Sequence, residues 1–298
     1  MRFVRDFADY QLVDASAGER LERWGDIILI RPDPQIIWDT PRDNPLWKKA
    51  HARYHRSSSG GGHWETYKRV PDVWSIGYGG LRFNLKPMGF KHTGLFPEQA
   101  VNWRLMGDIL RSADDGGRPF RVLNLFGYTG GATLACLAAG AHVTHVDASK
   151  GMVAWGKENA RASGLAERPM RWLVDDCVKF VERELRRGNT YDGILMDPPS
   201  YGRGPSGEVW KLEEKLSRLL ELTARLLSDR ALFFLVNSYT GGLSPTIVKY
   251  MVELTAGRGR AGRVTADEIG LPVTDRKMIL PCGNTCVWLA DGIRPDAE

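Results

Sequence analysis

Between residues 121 and 237 short apolar runs alternate with amphipathic stretches, and this alternation constrains the fold more than any other feature of the chain. The runs cover 121–126, 142–147, 170–174, 191–196 and 231–237, each ended by Gly, Asp or Asn or by a following polar residue, as buried strands are. Helical periodicity fills 131–139, 150–163, 177–187 and 209–227 between them. Because the runs are apolar throughout rather than at every second position, the strands are expected to be covered on both faces. That is the condition of a mostly parallel α/β sheet, whose ligands bind at the carboxyl ends of the strands. The tail adds a helix at 244–254 and strands at 263–271 and 285–290 with no helix between them, which suits a terminal antiparallel hairpin.

The first ninety residues follow a different pattern. A strand at 26–30 is stopped by Arg31-Pro32-Asp33-Pro34, another short strand is expected at 35–38, and 74–78 and 81–85 flank Gly79-Gly80 as a hairpin. A length of 298 residues with 43% hydrophobic and 26% charged residues fits two globular units, here placed at 1–92 (β-rich) and 93–298. No run of about 18 apolar residues occurs, and charge interrupts the N-terminus, so neither a membrane span nor a secretory leader is expected and the cytoplasm is the expected location. Four cysteines without a CxxC pair suit reduced thiols rather than a disulfide framework or a structural zinc, and no metal is expected.

The net charge is +5, and the stretch 42–69 alone carries seven basic against two acidic residues. Trp47, Tyr54, Trp64 and Tyr67, with His51, His55 and His63, interleave those cations with planar rings, a composition suited to nucleic acid as well as to an ordinary solvated surface. Within it, Ser57-Ser58-Ser59-Gly60-Gly61-Gly62 reads as a flexible linker, and no Lys-Ser/Thr pair follows to make it a phosphate loop.

The chemistry-bearing residues stand at the strand ends. The first strand runs into Phe126-Gly127-Tyr128-Thr129-Gly130-Gly131, where missing side chains would let a ligand approach the backbone. The spacing is GxxGG, which fits the dinucleotide fingerprint GxGxxG poorly. The second strand ends at Asp147, placed to accept hydrogen bonds from both hydroxyls of a ribose, with Ser149 able to cap the next helix. The third ends at Asp175-Asp176-Cys177, where one aspartate suits an adenine amino group and the other a helix cap. The fourth ends at Asp197-Pro198-Pro199-Ser200-Tyr201. Two prolines there leave a rigid rim of acceptors, and Tyr201 offers a ring for stacking.

Asn124-Leu125-Phe126-Gly127-Tyr128-Thr129-Gly130-Gly131, Asp147 and Asp197-Pro198-Pro199-Ser200-Tyr201 together resemble the class I S-adenosylmethionine-dependent methyltransferases. Within that class they are most similar to the bacterial large-subunit ribosomal RNA enzymes of the cytosine-C5 type and their guanine-modifying relatives. The stretch 89–99 resembles the family's KTGxxxDQR element, although Pro97-Glu98-Gln99 stands in place of Asp-Gln-Arg, and the first seventy residues do not match the family's RNA-binding PUA domain. The resemblance implies a Rossmann-like class I sheet with a smaller β-rich N-terminal domain, S-adenosyl-L-methionine as cofactor and RNA as partner. It implies cofactor contacts from Phe96, Gln99, Asn124, Phe126, Gly127, Tyr128, Thr129 and Gly130, from Asp147 with Ala148 at the ribose, from Asp175 or Asp176 with Cys177 at the adenine, and from Asp197.

Two routes of methyl transfer are open to such a chain. For an exocyclic amine, Asp197 and the Pro198 carbonyl would accept its hydrogens and turn the lone pair to the methyl group, with Tyr201 against the base. For carbon-5 of cytosine an exposed thiolate must first add to the ring. The resemblance points to a cysteine near the C-terminus, Cys286 at the start of the last strand, or else Cys282 in a Pro281-Cys282-Gly283 turn. Arg203, Arg258, Arg260 and Arg263 are candidate phosphate contacts. A methyltransferase acting on a protein or small molecule, a noncatalytic RNA-binding relative and, least well fitted, a nicotinamide-dependent oxidoreductase are the competing readings.

Overall fold

A computed structural model of the chain describes residues 1–57, 61–203 and 209–294. Ser58-Ser59-Gly60 of the expected linker and Gly204 after Arg203 lie outside the described residues, as does the Arg203 side chain. The chain divides into two compact units. One comprises Phe3–Ala100 and Gly270–Pro281, the other Met1–Arg2, Val101–Ile269 and Cys282–Glu298. This differs from the expected division at 92/93, because a segment near the C-terminus contributes to the first unit, a long-range pairing that local composition does not signal.

The first unit is built from β1 (Arg2–Phe3, shared with the second), β2 (Tyr10–Ser16), β3 (Glu19–Trp24), β4 (Ile27–Pro32), β5 (Ala52–Arg56), β6 (Gly62–Thr66), β7 (Trp74–Tyr78) and β8 (Leu81–Leu85). β2, β3 and β4 form an antiparallel meander, β5 joins β4 in parallel, β6 returns along β5, and β7–β8 is a separate hairpin. Gly79 and Gly80 take φ of 55° and 81°, the double left-handed turn that matches strand twist in a two-residue hairpin. The strand expected at 35–38 is absent. Asp33 explains why: its side chain accepts from the Gln35 N–H at 3.0 Å and its carbonyl from Ile36 at 3.2 Å, so the chain turns after Pro34. Glu22 of β3 is fully buried. Burial alone would raise its carboxyl, but Arg31, bonded at 2.6 and 2.7 Å, holds it below the ordinary carboxylate range.

The second unit contains α1 (Ala100–Ser112), β9 (Arg121–Leu125), α2 (Gly131–Ala138), β10 (His142–Asp147), α3 (Lys150–Ala162), β11 (Met170–Val174), α4 (Cys177–Arg186), β12 (Gly193–Met196), β13 (Tyr201–Arg203), β14 (Val209–Lys211), α5 (Leu212–Ala224), β15 (Phe233–Ser238), α6 (Pro245–Leu254) and the larger parts of β16 (Gly262–Val273) and β17 (Met278–Ala290), whose stretches within Gly270–Pro281 belong to the first. Its strands run in the order β11-β10-β9-β12-β15-β17-β16. The first five are parallel and β17 is antiparallel to β15. Leu125, Ile194, Met196, Phe234 and Val236 from the strands pack with Phe180, Leu216 and Leu220 from α4 and α5 in one buried cluster. Ser149, Asp176 and Ser244 cap the helices that follow them, each accepting the backbone N–H three residues on.

The alternation is as expected, with two differences. The helix foreseen from 209 starts at Leu212, because Val209–Lys211 pairs antiparallel with Tyr201–Arg203. The last strand begins at Met278 rather than 285, so Cys282 and Gly283 lie within β17 and not in a turn.

Candidate functional site

The chain leaves β9 outward to β10 and β11, then returns to the other side of β9 for β12 and β15. The carboxyl ends of β9, β10 and β12 therefore flank the point where the winding reverses, the usual ligand crevice of an open α/β sheet. The register sets them level: Leu125 lies opposite both Val146 and Met196, so Phe126, Asp147 and Asp197 emerge together at that edge.

The loop after β9 is held at almost every peptide. Phe126 N–H donates to the Cys177 sulfur at 3.3 Å, Gly127 N–H to the Val146 carbonyl at 3.0 Å, Tyr128 N–H to Asp147 Oδ2 at 2.8 Å and Gly130 N–H to the Gly127 carbonyl at 3.0 Å. The Asn159 amide donates to the Thr129 carbonyl at 2.9 Å. Phe126, Tyr128 and Gly130 take φ of 57°, 50° and 88°. Left-handed backbone at two residues carrying side chains costs about 1–3 kcal/mol each and persists only where the surroundings enforce it, as at functional sites.

The glycines have a structural purpose that the sequence did not disclose. A Cβ on Gly127 would lie 2.3 Å from the His145 ring, on Gly131 2.6 Å from Trp103, and on Gly130 3.1 Å from Leu134. Their missing side chains make room for the protein's own groups beneath the loop. Asn124, assigned to the cofactor by resemblance, also works from below: its amide donates to the Thr133 hydroxyl at 2.8 Å, which is 2.9 Å from His145 Nδ1. His145 is fully buried, tilted on Trp172 at 4.4 Å, and burial pushes its pKa down to about 3, so the ring is neutral. Sequence reasoning missed His145, Trp172 and Trp103; no motif carries them.

Asp147 accepts from two backbone donors, Tyr128 on Oδ2 and Ser149 on Oδ1, both at 2.8 Å. Among the described residues no cation pairs with it, and burial raises its carboxyl against the pull of those two N–H groups. Ala148 beside it is exposed. The acidic pair after β11 is committed elsewhere: Asp176 caps α4 through the Lys179 N–H at 2.8 Å, and Asp175 is ion-paired with Arg183. Cys177 is buried with its sulfur on the loop, and burial pushes its thiol far up.

At the end of β12 the Asp197 N–H reaches the Leu125 carbonyl at 3.4 Å, Pro198 is buried and Pro199 exposed. The Pro199 carbonyl accepts the indole N–H of Trp210 at 2.6 Å, and the Trp210 ring lies 5.4 Å from Phe126. Tyr201 is 55% exposed and paired across β13–β14 with Lys211. Trp210 was read as helical and so overlooked, although a lone Trp after a Gly/Pro-rich loop is an available signal.

The cysteine candidates do not meet the requirement placed on them. Cys286 is 1% exposed in β17 opposite Val236, inside the core cluster, with its thiol pushed up to about 12 by burial. Cys282 is buried as well. Of the arginines, Arg260 is engaged by the backbone after α5, donating to the Leu227 and Ser228 carbonyls at 3.1 and 3.3 Å. Phe96 and Gln99 belong to the first unit, where Gln99 is buried and the Phe96 ring lies 5.1 Å from His92. Much of the basic aromatic stretch is structural in that unit: Trp47 and Tyr54 are buried, and Arg42 and Arg53 both pair with Glu19 at 2.8 Å. Lys48, Lys49, Arg56, Lys68 and Arg69 remain exposed. Among the described residues no cluster of three His, Cys, Asp or Glu could hold a metal, and no helix is long and apolar enough to cross a membrane.

Known proteins share this fold and parts of this sequence. A structure of a SAM-dependent methyltransferase from Agrobacterium tumefaciens superposes with a TM-score of 0.91 at 36% identity, covering 97% of this chain and 92% of the other. A Streptococcus mutans protein described as a SAM-dependent methyltransferase shares the fold, with a TM-score of 0.74 at 20% identity over 95% of this chain and 76% of its own. The ribosomal RNA large subunit methyltransferase K/L of Shewanella sp. (strain MR-4) is 34% identical over 152 residues, half of this chain but only 20% of that protein's length. The family profile of S-adenosylmethionine-dependent methyltransferases matches residues 46–249, and the chain belongs to that family.

Proposed function

We propose that the chain transfers the methyl group of S-adenosylmethionine to an exocyclic amine of a base in RNA, with ribosomal RNA the first substrate to test. The observation that carries the reading is the pairing of acceptors across β9. Asp147 ends β10 and the Asp197-Pro198-Pro199 rim ends β12, two strand spacings or about 10 Å apart. An S-adenosyl nucleoside suits that span, because Asp147 is a half-buried carboxylate with no cation beside it among the described residues and lone pairs left for two ribose hydroxyls. When bound, that cofactor supplies an electrophilic methyl group on a sulfonium; the protein's share is position.

The residues divide that share. The tightly held loop 126–130 presents a fixed backbone against the nucleoside, and Asp147 orients both the loop, through Tyr128 N–H, and the sugar. Asp197 and the Pro198 carbonyl accept the amine hydrogens and aim its lone pair, while the exposed Tyr201 ring stacks on the base. The amine is preferred over carbon-5 because all four thiols are buried, which leaves no accessible nucleophile to activate a pyrimidine ring. RNA is supported by the ribosomal activity of the K/L relatives and by the exposed cations of the first unit; a ribosomal substrate would place the protein in the cytoplasm.

The test is methyl transfer from radiolabelled S-adenosylmethionine to transcribed 23S ribosomal RNA, followed by nucleoside mass spectrometry. The expected product is an N-methylated base. Label in 5-methylcytosine, or none in RNA while cofactor binds, overturns the substrate reading.

A further inference from the structure

Trp210 belongs to no motif, yet it touches both halves of the site. It sits in β14 opposite Gly202. Its indole N–H donates to the Pro199 carbonyl at 2.6 Å, and its ring centroid lies 5.4 Å from that of Phe126 at an interplanar angle of 49°. Phe126, at φ 57°, opens the cofactor loop, and Pro199 closes the acceptor rim. The rim presents a particular difficulty to the fold: the Asp197–Pro198 and Pro198–Pro199 peptides carry no N–H to donate, so the segment is anchored through the peptides that follow it. Trp210 holds the Pro199–Ser200 peptide through its carbonyl, and the Leu212 N–H bonded to the Ser200 carbonyl at 3.0 Å ties the next peptide.

We propose that Trp210 is a positioning residue for methyl transfer. Its N–H fixes the Pro199–Ser200 peptide, and through it the stiff Pro-Pro segment, so that Asp197 and the Pro198 carbonyl face the target, and its ring backs Phe126 in the cofactor loop. The inference rests on the reading that those two acceptors receive the target amine.

Two variants separate the two contacts. Trp210→Phe keeps a ring against Phe126 and deletes the donor, whereas Trp210→Ala deletes both. Three readouts apply to the full chain: calorimetric affinity for S-adenosylhomocysteine, amide exchange at Leu212, and methyl transfer to transcribed 23S ribosomal RNA with thermal stability recorded alongside. Trp210→Phe is expected to bind S-adenosylhomocysteine within about twofold of the wild type, to exchange Leu212 about tenfold faster, and to lose about tenfold in kcat at unchanged KM for the cofactor. Trp210→Ala is expected to weaken S-adenosylhomocysteine about fivefold as well. Unchanged Leu212 exchange in Trp210→Phe together with unchanged affinity in Trp210→Ala overturns the proposal. A parallel fall of stability, affinity and kcat in both variants also overturns it, since Trp210 would then be structural only. If the wild type methylates no RNA, the substrate reading fails, and the binding and exchange readouts still decide the role of Trp210.

Discussion

Asp147 carries the largest share of the argument at the scale of single residues. Its two oxygens already accept backbone N–H groups, so Asp147→Asn must turn an amide toward one of those donors and also loses the charge that strengthens bonds to hydroxyls. The expected result is a loss of about 1.5–3 kcal/mol in S-adenosylhomocysteine binding by calorimetry, the value of hydrogen bonds to a charged group. Because burial raises its carboxyl, wild-type affinity should fall on acidification from a pH above the ordinary carboxylate range, and Asp147→Asn should abolish that dependence. His145 gives a separate prediction for stability. Its folded pKa is lowered to about 3 by burial, so between there and the unfolded value the unfolded chain binds the extra proton. Stability is then fully present above about pH 6.5 and is lost as pH falls, by about 1.4 kcal/mol per unit for each such proton. His145→Phe, which keeps a ring in the space, should show a denaturation slope shallower by about one proton between pH 6 and 4. An unchanged slope would show that the ring is not held neutral.

At the scale of elements, the strand ends were legible and their undersides were not. Asp147 and Asp197-Pro198-Pro199 are readable because a polar residue ending an apolar run marks the carboxyl edge of a strand. The hairpin around Gly79-Gly80 was legible for a similarly local reason. What the local pattern cannot carry is contact between distant segments. The GxxGG glycines looked like room for a ligand, whereas Gly127 and Gly131 stand over His145 of β10 and Trp103 of α1. Asp175 looked like an adenine acceptor, whereas Arg183, two turns along α4, takes it. Cys286 looked like the start of a strand, whereas β17 begins eight residues earlier and places the thiol in the core. The glycine finding has a direct test. Gly131→Ala should destabilise the protein by about 1–3 kcal/mol through overlap with Trp103, and combining it with Trp103→Leu should cost less than the sum of the two single changes. Additive losses in chemical denaturation would show that the two residues do not meet.

At the scale of the whole molecule, two units carry separate work. The unit with the parallel sheet holds Asp147 and Asp197, while the other presents Lys48, Lys49, Arg56, Lys68 and Arg69 to solvent and pairs its buried Glu19 and Glu22 with its own arginines. If RNA is the substrate, its affinity should fall steeply with salt, with a slope set by the number of phosphates neutralised, and replacing Lys48, Lys49 and Lys68 by Ala should flatten that slope by about 2–3. Salt-independent binding would point to a protein or small-molecule substrate instead. All of this stands on where the cofactor lies. A crystal structure with S-adenosylhomocysteine decides that most directly: the ribose hydroxyls should lie within about 3 Å of the Asp147 carboxylate, with the sulfur directed toward Asp197. The ligand found elsewhere on the chain, or at this edge with its ribose turned away from Asp147, would contradict the account.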